Sequence, residues 1–300
     1  MNKILICIPT YNRNKILINC LKSIKKLRNK KFFNIKILVL DNSRTNNSYK
    51  IIKKFNEKQI LKIYQYHEKK RGIVYARNKC LQIARKFKPN YVAFIDDDCE
   101  VDKNWLKNIY KLLITTDADV LTGPQLYEGE NKKNYTSLFE KKYKKKLLRV
   151  KWAASNNVFF KFDILKQEKN IKFDKNLNKF GMGEDQLFFS IINKIGYKIY
   201  WSKNIMVTER LHPHRSSINW IKERSKRLGI LGHYLDIKMH GKITGYFINY
   251  MKCLYLFFTS IIIYINFFNV KKDLDFANSL FRFYGKLIGP FIIKNIQFLK

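Results

Sequence analysis

The stretch YVAFIDDD, from Tyr91 to Asp98, decides the predicted fold because five apolar residues are followed directly by three carboxylates. A short apolar run with polar residues beyond it is typical of a buried strand, so we predict a strand over 91–95. Adjacent carboxylates repel one another, and a divalent cation offsets that repulsion. Asp96 and Asp98, two residues apart, are therefore predicted to share one Mg²⁺ or Mn²⁺, with a diphosphate completing its coordination shell.

An acidic turn is the alternative interpretation of Asp96–Asp98. In that interpretation the carboxylates cap a helix that begins with Asp102 and continues through Ile114. A helix N-terminus needs one capping side chain, whereas this chain has three carboxylates directly after a buried strand. The metal site is therefore the favoured hypothesis.

Apolar runs before this stretch alternate between two patterns. Short continuous runs predict strands at 4–9, 35–40 and 61–66, and runs with helical spacing predict helices at 15–27, 51–55 and 74–87. This alternation predicts an α/β fold with a parallel sheet covered on both faces. Ligands of such sheets bind beyond the carboxyl ends of the strands. Pro9, Thr10, Asp41 and Asp96–Asp98 all lie at such ends.

The second half of the chain has a more mixed pattern. Strands are predicted at 120–126, 153–162, 197–201 and 205–209, helices at 186–195 and 216–240, and a basic insertion or loop at 128–150. We predict two parts, a globular domain over residues 1–235 and a helical segment over residues 236–300.

Two apolar segments, 246–268 and 280–299, dominate the C-terminal part. The most continuous apolar run, 253–265, is shorter than the roughly 20 residues that cross a bilayer. Spaced Lys residues in both segments favour helices that lie in or dip into a membrane interface. The alternatives are a helical hairpin packed on the domain and a dimer face.

The composition is that of a folded and strongly basic chain. The 300 residues include 60 Lys and Arg against 23 Asp and Glu, a formal net charge of +37, and 46% are hydrophobic. So large an apolar fraction excludes a mostly disordered protein. The charge is spread along the chain, which argues against a basic arm for nucleic acid. It indicates either a solvated lysine-rich surface or attraction to an anionic nucleotide, lipid headgroup or nucleic acid.

The cysteine spacing predicts reduced thiols. The five cysteines show no CxxC spacing, and most lie in apolar runs: Cys7, Cys20, Cys80, Cys99 and Cys253. We therefore expect buried thiols in a cytoplasmic compartment. The N-terminus has no signal-peptide pattern.

Glu184 and Asp185 follow a glycine-containing turn, Gly181–Gly183, and begin a predicted helix. A carboxylate at a helix N-terminus stays ionised, which suits a general base for a sugar hydroxyl. A plain helix cap with acidic first-turn residues explains the same pattern equally well.

Arginine and histidine provide the remaining candidates in a chain rich in lysine. Arg71 and Arg77 offer bidentate donors for a phosphate or carboxylate, although Arg77 and Asn78 also suit a helix surface. His212 and His214 are candidate metal ligands or phosphate contacts, and a structural role is the alternative for each.

Five motifs occur in the order found in family 2 glycosyltransferases, which the chain resembles over roughly residues 1–230. The motifs are Ile8–Arg13 (IPTYNR), Asp41, Arg71-Gly72 through Arg77-Asn78, Asp96–Asp98 and Gly183–Asp185 (GED). The resemblance implies the GT-A fold, a Rossmann-like architecture with a mixed, mostly parallel sheet covered by helices. We expect a C-terminal helical segment that associates with a membrane to follow it.

The resemblance also implies residue roles. Pro9, Thr10 and Tyr11 would line the nucleotide base pocket, and Asp41 would bind the base or its ribose. Asp185 would deprotonate the acceptor, with Glu184 beside it. The other implied nucleotide-sugar contacts are Arg13, Gly72, Arg77, Asn78 and Asp97, and the implied metal ligands are Asp96 and Asp98, with His212 or His214 at the metal or diphosphate.

The expected activity is metal-dependent, inverting transfer of a sugar from a UDP-, GDP- or dTDP-linked donor to a hydroxyl of a glycan or lipid-linked acceptor. The expected location is the cytoplasmic face of a membrane, peripheral or re-entrant, with no specific nucleic acid partner. Leu187 stands where a second Asp often follows the Glu-Asp pair, which loosens any subfamily assignment.

Three other functions are possible for a basic α/β chain of this kind, and the sequence disfavours each. A nucleotidyltransferase would need a Gly-rich, Lys-containing N-terminal loop, and residues 8–13 contain no Gly. A nucleic-acid or anionic-polymer binding protein explains the charge but not the ordered carboxylates. A non-catalytic relative is disfavoured because all the acids are retained.

Overall fold

The computed structural model describes residues 1–28, 32–57, 62–129, 132–139, 143–265 and 273–297. Contacts divide the chain into two compact units, the first comprising Met1–Leu126 and Lys142–Arg210 and the second Tyr127–Lys141 and Leu211–Lys300. The division into domains 1–235 and 236–300 stays a prediction.

Strands and helices alternate in the first part of the chain, as predicted. The strands are β1 (Asn2–Thr10), β2 (Phe33–Asp41), β3 (Lys62–His67), β4 (Tyr91–Ile95), β5 (Cys99–Val101), β6 (Val120–Thr122), β7 (Gln125–Glu128), β8 (Leu147–Val150), β9 (Asn157–Lys161), β10 (Ile199–Ser202) and β11 (Val207–Arg210). The helices are α1 (Asn14–Lys25), α2 (Tyr49–Glu57), α3 (Ile73–Phe87), α4 (Trp105–Thr115), α5 (Lys132–Phe139), α6 (Asp163–Gln167), α7 (Glu184–Lys194), α8 (Ile218–His240), α9 (Lys242–Ile265) and α10 (Asp273–Gln297).

The main sheet of the first unit has the strand order β3-β2-β1-β4-β9-β6-β10-β8. The ladders β1–β2, β2–β3, β1–β4 and β6–β10 are parallel. Strand β9 runs antiparallel to both β4 and β6, and β8 runs antiparallel to β10. The sheet is therefore mixed, and the parallel block β3-β2-β1-β4 brings the carboxyl ends of β1, β2 and β4 to one edge.

Strand β1 shows why helices cover both faces of this sheet. Ile4, Ile6 and Ile8 are buried in one core cluster with residues of α1 and α4. Leu5 and Cys7 are buried in the other cluster with residues of α3 and α7. Since alternate side chains of a strand point to opposite faces, the continuous apolar run of β1 needs cover on both sides.

Most predicted strands shift by one or two residues at their ends, and two differ more from the prediction. The run 120–126 is split into β6 and β7 because Gly123 and Pro124 interrupt it. A Cβ atom on Gly123 would lie 1.8 Å from the carbonyl oxygen of Ile205, and Pro124 has no N–H to donate to a ladder. The strand predicted from 153 begins at Asn157, and residues 153–156 form the loop before it.

The acidic residue Asp102 does not cap α4 directly. Asn104 is the residue that precedes the helix, and its backbone N–H donates to Asp102 Oδ1 at 2.8 Å. The predicted loop at 128–150 contains α5 and β8, and β8 pairs with β10 at the sheet edge. Parts of four predictions lie outside the described residues, namely residue 61, residues 130–131 and 140–142, residues 266–268, and residues 298–299.

The described residues of the second unit are mainly helical. Helices α8, α9 and α10 follow one another along the chain and contact one another. By length and composition, one described helix, Lys242–Ile265, could cross a membrane.

Candidate active site

The three aspartates after β4 lie at the edge where the parallel strands end, as predicted. Arg77 Nη2 donates to Asp96 Oδ1 at 2.9 Å. Arg13 Nη1 donates to Asp98 Oδ2 at 2.7 Å. Each predicted metal ligand therefore directs one carboxylate oxygen toward a guanidinium.

The middle aspartate, Asp97, is fully buried and ties two strand ends together. Thr10 Oγ1 donates to Asp97 Oδ2 at 2.7 Å, and Arg13 Nη2 lies 2.7 Å from Asp97 Oδ1. Burial raises the pKa of Asp97 to about 7, while Arg13 and Thr10 act to lower it. The carboxylate joins the ends of β1 and β4, and its contact with the nucleotide sugar stays a prediction.

Arg77 is a buried arginine of α3 that contacts two acidic segments. Its Nη2 pairs with Asp96 and its Nη1 pairs with Glu184. Burial acts to lower the pKa of Arg77, but Asp96, Glu184 and Asp185 outweigh it and the pKa is raised. The guanidinium therefore holds the end of β4 beside the start of α7, which brings the predicted metal ligands and the predicted base into one site.

Glu184 is buried at the first position of α7, directly after Gly183. Gly183 has φ +82°, a left-handed conformation that glycine adopts without steric cost. Burial raises the pKa of Glu184 to about 7, Arg77 acts to lower it, and Asp185 raises it. Its Oε2 is buried and has no hydrogen-bond partner among the described residues.

Asp185, the predicted base, is held by backbone donors. Its Oδ2 accepts a hydrogen bond from the Ser155 N–H at 3.1 Å and lies 3.5 Å from Ser155 Oγ. Its Oδ1 accepts from the Gln186 N–H at 2.7 Å. Ser155 lies in the loop before β9, far from Asp185 in sequence, and nothing in the sequence pattern indicated this contact.

Asp41 organises the loop that follows β2. Its carboxylate is buried and accepts hydrogen bonds from the Ser43 N–H at 2.7 Å, the Ser48 N–H at 2.8 Å and Ser48 Oγ at 2.6 Å. Burial acts to raise the pKa of Asp41, but these hydrogen bonds lower it overall. The observed role is to fix the loop, and a contact with a nucleotide base or ribose stays a prediction.

Asn42, which sequence reasoning missed, connects this loop to the segment before α3. Its Nδ2 donates to the carbonyl oxygens of Glu68 at 2.7 Å and Lys70 at 2.8 Å. Its Oδ1 accepts from the Gly72 N–H at 2.7 Å. No local pattern indicates these partners, because Asn side chains in loops commonly bond backbone a few residues away, whereas these partners lie 26 to 30 residues along the chain.

Gly72 and Asn78 position backbone around the site. Gly72 has φ +132°, and a Cβ atom there would lie 1.9 Å from Asn178 Oδ1. Asn78 makes two bonds to Phe173: its Nδ2 donates to the carbonyl oxygen and its Oδ1 accepts from the N–H, both at 2.9 Å. Their predicted nucleotide contacts are untested, whereas their packing roles are observed.

Pro9 and Thr10 end β1, and Tyr11 follows in the adjoining loop. The guanidinium carbon of Arg71 lies 5.1 Å from the centre of the Tyr11 ring, within the range of a cation–π contact. Arg71 thus joins Tyr11 at the edge that already holds Thr10 and Asp97.

His212 and His214 belong to the second unit, where their Nδ1 atoms lie 2.6 Å apart. Their predicted contact with a metal or diphosphate stays a prediction. Among the residues that the structure describes, no three His, Cys, Asp or Glu side chains form a group able to hold a metal ion.

The comparisons with known proteins agree with this arrangement. The family model described as Glycosyl transferase family 2 matches residues 5–173, which include the ends of β1, β2 and β4. The chain belongs to glycosyl transferase family 2. The resemblance stated from the five motifs is thereby confirmed, and membership groups the chain with glycosyltransferases, as predicted.

One curated relative is the glycosyltransferase GlyG of Streptococcus pneumoniae, 29% identical over 130 residues. The alignment covers 43% of this chain and 41% of GlyG, so the chain spans less than half the length of this relative.

Two solved structures confirm the predicted GT-A fold. TarS residues 1–349 of Staphylococcus aureus, in complex with UDP-GlcNAc, match with TM-score 0.56 and 20% identity, covering 79% of this chain and 70% of that one. The mannosyltransferase PcManGT of Pyrobaculum calidifontis, in complex with GDP-Man and Mn²⁺, matches with TM-score 0.61 and 15% identity, covering 95% and 86%.

Proposed function

We propose that this family 2 member transfers a sugar from a nucleotide-diphosphate sugar to a hydroxyl of a glycan or lipid-linked acceptor. The observation that carries the proposal is the buried Arg77 guanidinium, which pairs with both Asp96 and Glu184. It unites an acidic strand end and an acidic helix start in one site. Relatives solved with UDP-GlcNAc and with GDP-Man support a nucleotide-sugar donor.

The donor is assigned to the edge formed by the ends of β1 and β4. Pro9, Thr10 and Tyr11 are assigned to the base, and the Arg71 guanidinium over Tyr11 supplies positive charge nearby. Arg13 already pairs with Asp97 and Asp98, so its guanidinium lies where a diphosphate beside those carboxylates would meet it.

Asp185 is assigned as the general base. It accepts the proton of the acceptor hydroxyl while the acceptor oxygen forms a bond to the anomeric carbon. The bond from that carbon to the diphosphate oxygen breaks, and its electron pair stays on the departing nucleoside diphosphate. Attack opposite the leaving group inverts the anomeric configuration. The Ser155 and Gln186 N–H groups keep the carboxylate oriented for this step.

The acidic strand end fits a divalent cation. Asp96 and Asp98 offer the hard oxygen ligands that Mg²⁺ and Mn²⁺ prefer, and in the described part of the chain a guanidinium contacts one carboxylate oxygen of each. A bound ion would stabilise the negative charge that develops on the diphosphate. Two protein carboxylates and the diphosphate would then share the coordination.

We propose the cytoplasmic face of a membrane as the location and a bacterial surface polysaccharide or its lipid-linked precursor as the acceptor class. The described cysteines are free and buried, which agrees with a reducing compartment. Helix α9 has the apolar composition of a membrane-associated segment.

A donor screen tests the proposal. The purified chain is incubated with a panel of UDP-, GDP- and dTDP-sugars and Mn²⁺, and release of the nucleoside diphosphate is measured. We expect sugar donors of one nucleotide class to release their nucleoside diphosphate above background, through transfer of the sugar or through hydrolysis of the donor. Absence of release across the panel, with and without membrane-lipid extracts as acceptor source, would contradict the proposed activity.

Removal of metal is tested in the same assay. We expect EDTA to stop diphosphate release, and excess Mn²⁺ or Mg²⁺ to restore it, because the carboxylates of Asp96 and Asp98 need a cation beside the diphosphate. Full activity in EDTA would remove the metal assignment while leaving the donor assignment intact.

A further inference from the structure

We infer that α9 lies parallel to the plane of an anionic membrane, with its outer face inserted among the lipids of one leaflet. The inference rests on the proposed membrane location and gives that location a surface on this chain. It also decides between lying in one leaflet and crossing the bilayer, which the length and composition of α9 leave open.

The outer face of α9 is apolar and exposed over the whole helix. Phe247 is 64% exposed, Tyr255 70% and Ile262 60%. The face is formed by exposed residues at helical spacing: Ile243, Phe247, Tyr250, Tyr255, Phe258 and Ile262. A continuous exposed apolar face of this length is unusual for a surface in contact with water and marks an interaction site.

The side of α9 that packs on its neighbours is small and polar. Its buried residues are Gly245, Asn249, Cys253 and Ser260. Ser260 Oγ donates to Ser279 Oγ of α10 at 3.0 Å, and Lys286 of α10 donates to Asn249 Oδ1 at 3.1 Å. Polar and small residues inside with aromatic residues outside reverse the pattern of a water-soluble bundle, and are typical of helices packed within lipid.

The interior of the bundle also contains an ion pair. Lys286 Nζ lies 3.4 Å from Asp236 Oδ2 of α8, and both side chains are less than a tenth exposed. Burial lowers the pKa of Lys286, while Asp236 acts to raise it. Paired ionisable side chains directed away from lipid are the arrangement expected of membrane-embedded helices.

The level of charged residues along the bundle favours the in-plane orientation. Ser225 of α8 bonds Asn278 of α10 at 2.8 Å, and Ser279 of α10 bonds Ser260 of α9. The charged segment 222–227 of α8 therefore lies level with the part of α9 around Ser260, which belongs to the continuous apolar run 253–265. If α9 crossed a bilayer, this segment would lie at hydrocarbon depth, which is costly for its Lys, Arg and Glu side chains.

Residues within α9 support the same orientation. Lys252, near the middle of the helix, is half exposed and pairs with Asp236 at 2.6 Å. Exposed tyrosines occur along the length of the helix, at 246, 250, 255 and 264, rather than at two ends. Tyrosine rings prefer the membrane–water interface, so every part of the helix would lie at that depth.

Charge complementarity selects an anionic membrane as the occupant. The chain carries a formal net charge of +37, and exposed Lys242 begins α9. Anionic headgroups attract such basic surfaces, and the attraction adds to apolar insertion. A second copy of the chain is the alternative partner for the outer face of α9, and its binding would not depend on anionic lipid.

Vesicle co-sedimentation tests the surface. The full chain is mixed with vesicles of phosphatidylglycerol and phosphatidylethanolamine, and with vesicles of phosphatidylcholine alone. We expect binding to the anionic vesicles and at least about tenfold weaker binding for Phe247→Glu/Phe258→Glu, since both side chains would carry charge into lipid. Ile114→Glu, at an exposed apolar residue of α4, is the matched control and should bind like wild type.

The variant must keep its fold for this result to count. Circular dichroism and nucleoside diphosphate release without vesicles should match wild type, because neither residue belongs to the proposed active site. Loss of release would instead indicate a folding failure, and the milder Phe247→Ser/Phe258→Ser is then used. A wild-type chain that binds no vesicles and forms a dimer broken by the variant overturns the proposal in favour of a second copy.

Depth measurement separates the two orientations. Phe247→Cys, Tyr255→Cys and Ile262→Cys are each labelled with a fluorophore and quenched by lipids carrying a quencher at defined depths. The native cysteines are buried, which favours selective labelling. We expect the three labels to report one shallow depth. A steady change in depth from 247 to 262 would show that the helix crosses the bilayer and would overturn the in-plane inference.

Discussion

The Arg77 guanidinium contacts a carboxylate on each of its two sides, Asp96 at the end of β4 and Glu184 at the start of α7. From the sequence, Arg77 was a candidate nucleotide contact. The structure gives it a buried position between two acids, and its contact with a nucleotide stays a prediction. Glu184 reaches Arg77 through a sequence separation of 107 residues, so only the folded chain reveals the contact.

The first prediction concerns this bridge. Arg77→Lys should lower the rate of transfer at least about tenfold, because one ammonium group cannot reproduce a planar, two-sided contact with both acids. Arg85→Lys is the matched control, since Arg85 lies on the same helix and bonds the carbonyl oxygen of Ile171 outside the site. Equal losses in both variants, measured as initial rates, would contradict the bridging role.

The second prediction concerns Asp185. Asp185→Asn should lower transfer about 10²- to 10⁴-fold, the usual contribution of a general base, while donor binding measured by calorimetry stays close to wild type. Asp163→Asn is the control, because Asp163 lies in the first turn of α6 as Asp185 does in α7. Wild-type turnover in Asp185→Asn would refute the base assignment.

At the scale of elements, the ends of β1, β2 and β4 meet because these strands are parallel neighbours. The positions of these strands were predictable from the apolar runs. The conformations of the loops that follow them were not predictable, because side chains from distant parts of the chain hold these loops in place. Asn42 holds the segment before α3, and Asn178 packs against Gly72.

The third prediction belongs to that loop. Gly72→Ala should lower the free energy of unfolding by about 2–3 kcal/mol, since a positive φ opposes a Cβ atom and the end of the Asn178 side chain must move aside to admit it. Gly196→Ala is the control, because Gly196 has φ +109° and nothing within 4 Å of its added Cβ. Urea denaturation should show a clearly smaller loss there.

A double variant separates the two causes. Gly72→Ala/Asn178→Ala should recover the part of the unfolding free energy that Gly72→Ala loses to the clash with Asn178. The part that is lost to the positive φ should remain. No recovery would mean that Asn178 does not restrict the position.

At the scale of the whole molecule, a net charge of +37 is compatible with a nucleic-acid-binding protein. The informative residues are the few buried acids among the many Lys and Arg. Family membership and the acid cluster leave the nucleotidyltransferase and nucleic-acid alternatives without support. Two acids of the site, Asp97 and Glu184, are buried, so their titration is linked to the stability of the fold.

The fourth prediction is a pH dependence. The pKa of Glu184 is raised from 4.5 to about 7 in the folded chain. The folded state therefore binds more protons than the unfolded state between these values, and the contribution of Glu184 to stability falls as pH rises through that range. Glu184→Gln should flatten the decline of unfolding free energy over this window, measured by urea denaturation. An unchanged slope would mean that Glu184 ionises normally.

The sequence by itself determined the alternating strands and helices, the acidic strand end at Asp96–Asp98, the Glu-Asp helix start and the family. These depend on local spacing and on residue types that only certain chemistry requires. The tertiary structure decided what each side chain touches: Arg77 between two acids, Ser155 beside Asp185, and Asn42 bonded to the N–H of Gly72. Such contacts join residues far apart in the chain, and local pattern carries no information about which distant side chain will fill the space.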